Sequence, residues 1–541
     1  MRFRLKDNRA RKRRDCQILS GARFMLNVLL ITADQWRGDC LGVAGHPVVR
    51  TPHIDALARD GVHFSRHYCQ AAPCSPARAC LYTGLYQMTN RVVRNGTPLD
   101  ARHDTIALAA RRAGYDPTLF GYTDQSVDPR TVTGDDPWLR TYEGILPGMS
   151  VRVRVPEDHG PWLSWLEARG HKLPDPPQDI WLPADGPADP PGGRPARYGE
   201  DDTETAFLVG EFLRWLGEVE GAPPARAKAG GRPWFAHLSF IRPHPPFIVP
   251  EPYASMYDPD AGPEFLGAAT PEEAGAVHPF LAYSLDKLDK ADLVWGTDGK
   301  ARDWDEATRR RIRATYWGMV SEVDAQIGRV VAELKARGLY DNTLIVLTAD
   351  HGEMMGDHQL FSKLGFYDQA YHIPLIVRDP RKPAHHGRTV EAFSESVDIM
   401  PTVLEAIGAK CPTWLDGRAL TPFLDGETPA DWREAVHWEY DFREVASGEA
   451  EAKLGLPIDL SGMSVIRDAD VKYVHFAGLP PLLFDLETDP GETRNVADDP
   501  AYLSVRLHYA EKMLAWRTRH LDRRLTGIEL TEDGPVDGRE R

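Results

Sequence analysis

Asn27-Val28-Leu29-Leu30-Ile31-Thr32 is a continuous apolar run that leads straight into Asp34-Gln35. A strand solvated on one face alternates, whereas a strand covered on both faces reads as unbroken hydrophobicity, the habit of parallel sheets. Thr343-Leu344-Ile345-Val346-Leu347-Thr348 repeats the pattern, residues 373–377 give a third run, and 234–241 a fourth. Helical periodicity falls between them, at 52–60, 105–113, 203–219 and 309–337. Strands alternating with helices predict an α/β fold with a mainly parallel central sheet flanked by helices. Residues 172–200 and 221–232, rich in Pro, Gly and Ala, read as surface loops. No internal repeat is present.

Beyond about residue 425 the pattern changes. Short strand signals at 464–467, 472–476 and 482–486 precede a helical stretch at 502–521. A smaller C-terminal antiparallel sheet with one helix is expected. The organisation read from the chain is a basic, disordered leader (1–24), a main catalytic domain (25–425) and a C-terminal subdomain and tail (426–541). The last twenty residues read as a tail or an oligomer arm, and a homo-oligomer, dimer or tetramer, is expected.

The 541 residues carry a net charge of −16, which argues against non-specific nucleic-acid binding. Hydrophobic residues make up 42 %, enough for a sizeable core, yet no run of eighteen apolar residues suggests a membrane span. The leader concentrates Arg2, Arg4, Lys6, Arg9, Arg11, Lys12, Arg13, Arg14 and Arg23 against Asp7 and Asp15, so the remainder is more acidic than the total. It lacks the apolar centre of a secretory signal, and Met25 stands directly before the first strand. Cysteines 16, 40, 69, 74, 80 and 411 show neither metal-type spacing nor a disulfide framework. A cytoplasmic protein is expected.

Chemistry concentrates in three places. Cys74-Ser75-Pro76-Ala77-Arg78-Ala79-Cys80-Leu81-Tyr82-Thr83-Gly84 predicts a short helix over 77–85, with Pro76 in its first turn. Residue 74 then sits at a helix N-terminus, where free N–H groups favour an anion, and Arg78 lies one turn in. Asp34-Gln35 and Asp350-His351-Gly352-Glu353 each follow a buried strand, the end at which α/β sheets bind ligands. Asp34, Gln35, Asp350 and His351 make a donor set for one divalent cation. Oxygen donors suit Ca²⁺, Mg²⁺ or Mn²⁺, and the imidazole tilts the choice toward Mn²⁺.

Taken together these motifs resemble the alkaline phosphatase superfamily, sulfatase branch, and within it the phosphonate monoester hydrolases and their arylsulfatase relatives. The resemblance spans roughly residues 26 to 500. It includes Thr51-Pro52-His53-Ile54-Asp55, Arg242-Pro243-His244-Pro245-Pro246-Phe247, Gly356-Asp357-His358 ahead of Lys363, and Leu483-Phe484-Asp485-Leu486. It implies that a formylglycine-generating enzyme, a transient partner, oxidises Cys74 to 3-oxoalanine (formylglycine), whose hydrate is the nucleophile. It implies Asp34, Gln35, Asp350 and His351 as metal ligands together with residue 74, the metal being Mn or Ca. Arg78 would support the nucleophile, and Asn95 and Tyr122 would contact the transferred group. His244 would protonate the leaving oxygen, and Lys363 would face the charged oxygens. Asp124 stands where the resemblance leads one to expect Thr. The implied substrate is a small anionic ester: a phosphonate monoester, phosphodiester or sulfate ester. Alternatives are a sulfatase proper acting on aryl or choline sulfates, a phosphatase or transferase using Ser75 or unmodified Cys74, and a non-catalytic binding protein.

Overall fold

The computed structural model describes residues 25–186, 189–221, 233–532 and 534–538; the leader at 1–24 and most of the loop at 221–232 lie outside them. Thirteen strands and seven helices position the site. They are β1 (Asn27–Ala33), α1 (Pro52–Arg59), β2 (Val62–Phe64), β3 (Ala71–Ala72), α2 (Cys74–Thr83), α3 (Ile106–Arg112), β4 (Pro117–Gly121) and β5 (Ser150–Arg154). There follow α4 (Glu204–Glu220), β6 (Phe235–Phe240), α5 (Glu306–Ala336), β7 (Thr343–Ala349), β8 (Leu375–Arg378), β9 (Arg388–Val390) and α6 (Ile399–Ala406). The C-terminal part adds β10 (Val436–Asp441), β11 (Gly462–Arg467), β12 (Val471–Phe476), β13 (Leu482–Asp485) and α7 (Leu503–Arg519).

The central sheet has the order β9-β2-β8-β7-β1-β6-β4-β5. Its apolar runs are explained by two separate cores. Val28 and Leu30 of β1, with Leu344 and Val346 of β7, enter one of them. Leu29, Ile31 and Ala33, with Ile345, Leu347 and Ala349, enter the other on the opposite face. Removing both faces from water favours an unbroken run over alternation.

One strand runs against expectation. The apolar run at 373–377 reads as another parallel strand, but β8 is antiparallel to both β7 and β2. The cause is the connection. Residues 350–374 pass over the end of the sheet where β7 finishes and hold only short helical turns. The chain re-enters from the end it left, because no crossover helix carries it back. The long helix α5 is capped by Asp305, which accepts from Thr308 N at 2.8 Å. Its Asp324 carboxylate accepts from Ile54 N at 2.7 Å and His53 N at 3.2 Å at the start of α1.

The C-terminal strands pair antiparallel in the order β13-β12-β11-β10, and β3 joins β10 in parallel. A two-residue strand just ahead of Cys74 is therefore stitched into the second sheet. The buried Lys472 of β12 strengthens the link. Its Nζ lies 2.6 Å from Asp368 Oδ1 in the β7–β8 connection, contacts the Glu492 carboxylate, and sits over the Trp438 ring. Replacing Lys472 with Met leaves the buried Glu492 carboxylate without its cation and the half-buried Asp368 with Arg467 alone. We expect a loss of about 3–5 kcal/mol, seen as a lower Tm; an unchanged Tm would contradict the link.

Candidate active site

Strand register brings the site together. Ala33 of β1 pairs with Ala349 of β7 and with Phe240 of β6. Asp34, Asp350 and Ile241 therefore leave the sheet side by side at its carboxyl edge, as ligand sites in α/β sheets do. Next to them β4 ends at Gly121, with φ +112°; an added Cβ there would lie 2.0 Å from the Ser239 carbonyl oxygen. Only glycine allows this approach, and it sets Tyr122 beside Asp34.

Helix α2 begins at Cys74, three residues earlier than the sequence indicates, with Ala77 N bonding to Pro73 O at 3.1 Å. The helix ends at Gly84 in the left-handed conformation. The Ser75 N–H donates to Asn95 Oδ1 at 3.0 Å. That leaves the Asn95 amide nitrogen for the cleft that Asn95 lines.

Arg78 lies one turn into α2, fully buried. Its fork is saturated by protein groups, two of them carboxylates. Nε donates to Asp350 Oδ2 at 2.9 Å, Nη2 to Asp34 Oδ2 at 3.2 Å and to Tyr122 Oη at 2.8 Å, and Nη1 to Ser239 Oγ at 2.9 Å. Its Cζ lies 4.2 Å from the Tyr122 ring centroid. Tyr122 Oη in turn donates to Asp34. Arg78 is thus a positioning residue that clamps two carboxylates.

Asp34, Cys74, Asp350 and His351 are all buried, and one ligand atom from each lies within 4.8 Å of the others. Cys74 Sγ is 3.2 Å from His351 Nε2 and 3.9 Å from Asp34 Oδ1. His351 Nδ1 is 3.0 Å from the Gly352 carbonyl, so that nitrogen carries the proton and Nε2 turns its lone pair to the cluster. Burial opposes ionisation of Asp34, but His244, His351, Arg78 and Lys363 together hold its carboxyl far below the usual range. Burial and the Asp34 carboxylate push Asp350 up, and burial lowers His351. Two carboxylates, one guanidinium and a neutral imidazole leave the pocket short of positive charge. The donor set fits a divalent cation taking oxygen and nitrogen ligands.

Gln35 is held differently. Its Oε1 accepts from Lys363 Nζ at 2.7 Å and its amide nitrogen donates to Glu353. Gln35 thus borders the cluster through Lys363. Glu353 and Tyr316 are the supports that sequence reading missed. Glu353 also accepts from the Met355 and Ser362 N–H groups, fixing the loop that presents Lys363. Tyr316 Oη donates to Gln35 O at 2.8 Å. Glu353 sits inside the quoted acidic stretch but was given no role there, whereas nothing near Tyr316 marks it.

Lys363 Nζ is 3.1 Å from His244 Nε2, and His244 Nδ1 is 2.9 Å from the Pro245 carbonyl. Nδ1 must therefore donate and Nε2 accept from the ammonium. Burial and Lys363 depress the imidazole to about 3. With Asp34, Cys74, Asn95 and Tyr122, this pair lines one cleft of ≈ 840 Å³. Cys40, Cys69 and Cys80 are buried, and Cys411 is half-buried.

A cysteine at a helix start, a strand-end donor cluster and a histidine–lysine pair thus share one cleft. The sulfatase family matches residues 26–409, and the C-terminal family of N-sulphoglucosamine sulphohydrolase matches 356–519. The chain belongs to the sulfatase family, within the alkaline phosphatase superfamily. It is similar to the multifunctional alkaline phosphatase superfamily protein PehA of Trinickia caryophylli, at 40 % identity over 94 % of this chain and 98 % of that one. The phosphonate monoester hydrolase structure of Agrobacterium radiobacter is 54 % identical, covers 95 % of this chain and 99 % of its own, and gives a TM-score of 0.90. That of Silicibacter pomeroyi is 42 % identical, covers 95 % and 100 %, and gives 0.87.

Asp350→Ala removes a hard anionic donor and frees one arm of Arg78. Metal per chain, measured by plasma mass spectrometry on purified protein, is expected to fall well below the wild-type content. Full retention would contradict the cluster as the cation site.

Proposed function

We propose that the chain hydrolyses phosphonate monoesters and phosphodiesters, with residue 74 as the nucleophile after oxidation to formylglycine. The observation that carries this reading is the Cys74 side chain lying against the Asp34–Asp350–His351 cluster in a cleft that also holds the His244–Lys363 pair. Likeness to two phosphonate monoester hydrolases over nearly the whole chain supports the substrate class. As a plain thiol, Cys74 is a poor nucleophile: burial and Asp34 push it well above its ordinary range, and the reactive form is the thiolate. This disfavours the unmodified-cysteine alternative.

The geminal diol of formylglycine would supply an oxygen nucleophile that can later collapse to the aldehyde, and a divalent cation held by Asp34, Asp350 and His351, with Gln35 alongside, would supply positive charge to the ester oxygens. This chain's own groups do the rest. Arg78 fixes the two carboxylates and, one turn along the same helix, residue 74. Asn95 presents an amide N–H to the transferred group. Lys363 brings a permanent positive charge to the incoming anion. His244 is neutral in the free enzyme, its Nε2 accepting from the Lys363 ammonium, and a bound anionic ester offsets the lysine charge and favours a proton, drawn from solvent, on the imidazole. From there it passes to the leaving oxygen.

Sulfate esters are the second reading, favoured by the sulfatase family match. The two separate on kcat/KM for p-nitrophenyl phenylphosphonate against p-nitrophenyl sulfate. Preference for the phosphonate is expected; preference for the sulfate transfers the function to sulfatase proper. His244→Ala should lower the rate on alkyl esters by about 10²–10⁴-fold, and far less on p-nitrophenyl esters, whose leaving group needs little protonation. An equal loss on both ester types would remove His244 from the proton transfer.

A further inference from the structure

Asp124 lines the cleft and is 5 % exposed, yet its carboxyl makes no hydrogen bond or ion pair among the described residues. Its backbone is set in the left-handed region, with φ 50°. The Gln125 amide holds it there, donating to the Asp124, Thr123 and Ser75 carbonyls at 3.0, 3.2 and 3.1 Å. The free carboxyl is thus locked to the start of the nucleophile helix. Burial pushes it up to about 8, with Arg78 pulling the other way, so the carboxyl holds its proton in the free enzyme and gives it up when a cation arrives beside it.

It does not stand alone. Glu143, Glu157 and Asp158 line the same cleft. Arg154 lines the cleft too, and it is already committed, with Nη2 3.4 Å from Glu143 and Cζ 5.1 Å from the Trp138 ring centroid. The half-buried Tyr142 ring stands among these acids: Asp124, Glu157 and Glu143 all act to keep its phenol protonated, after burial itself. A cleft that receives an anionic ester at its floor is therefore also lined by the carboxyl groups of Asp124, Glu143, Glu157, Asp158 and Asp292 and by aromatic rings, Tyr142 among them. Against a purely anionic ester this wall is repulsive, and to a neutral side group it offers nothing. A positive group on the substrate reverses the sign of each of these interactions.

We infer that the preferred esters are zwitterionic, carrying a quaternary or protonated ammonium group that Asp124 and the Glu143–Glu157–Asp158 wall receive, with Tyr142 offering its face. This deepens the hydrolase reading and rests on it. The probes are two phosphodiesters with the same p-nitrophenyl leaving group. One bears a choline ester, the other a tert-butylethyl ester in which carbon replaces the charged nitrogen. Wild-type kcat/KM should favour the choline diester by about tenfold or more, the scale of a partly desolvated charge pair with a cation–π contact. Asp124→Asn, a residue that also tolerates the left-handed backbone, should shrink the ratio severalfold, mainly through KM for the cationic ester. Glu157→Gln, on the exposed part of the wall, should shrink it less, and supplies the same reading if the first variant misfolds. A wild-type ratio of one or below, or a ratio unmoved by both variants, overturns the inference and leaves the hydrolase reading standing. Turnover of neither diester nor of p-nitrophenyl phenylphosphonate sinks both.

Discussion

Everything at this site depends on one buried guanidinium. Parallel pairing of β1 with β7 carries two carboxylates, Asp34 and Asp350, out of the sheet at the same level. Both are buried, so their mutual repulsion is barely screened. Arg78, fully buried, reaches each of them, and breaking such an arrangement costs about 3–5 kcal/mol. The same side chain fixes the helix whose first residue is Cys74. A single cation therefore sets the donor atoms and residue 74 against one another before any substrate arrives.

The clamp is incomplete in charge, and its neighbours reflect that. Lys363 lies within hydrogen-bond reach of Gln35 and His244, and Glu353 steadies both Gln35 and the loop that carries Lys363. Arg78 is consumed by protein carboxylates while Lys363 remains able to reach an incoming anion. The division follows from chemistry. The planar fork of arginine suits two fixed carboxylates, whereas the ammonium of lysine is a compact charge that can exchange partners.

How much of this could be read from the chain follows from what each residue is asked to do. β1 and β7 announce themselves because both faces are buried, and every position must then be apolar. The direction of β8 is silent, since an apolar run is the same in either sense and the deciding feature is a connection without a crossover helix. β5 escapes notice because it is a sheet edge with half-exposed arginines, and β10 because His437 and Glu439 interrupt its pattern. Asp34, Cys74, Asp350 and His351 are legible because their motifs sit at strand and helix ends. The acidic wall comes from loops, where no period constrains the sequence, and only the fold shows that those carboxylates share a cleft with Cys74.

The chemistry of the cleft turns on what residue 74 becomes. Purify the protein from a host that contains a formylglycine-generating enzyme, digest it, and weigh the peptide spanning residue 74 without prior alkylation. The account predicts a peptide in which an aldehyde, in equilibrium with its hydrate, replaces the CH₂SH group, and which forms a hydrazone with an added hydrazine. A peptide of intact cysteine mass in fully active enzyme would contradict it.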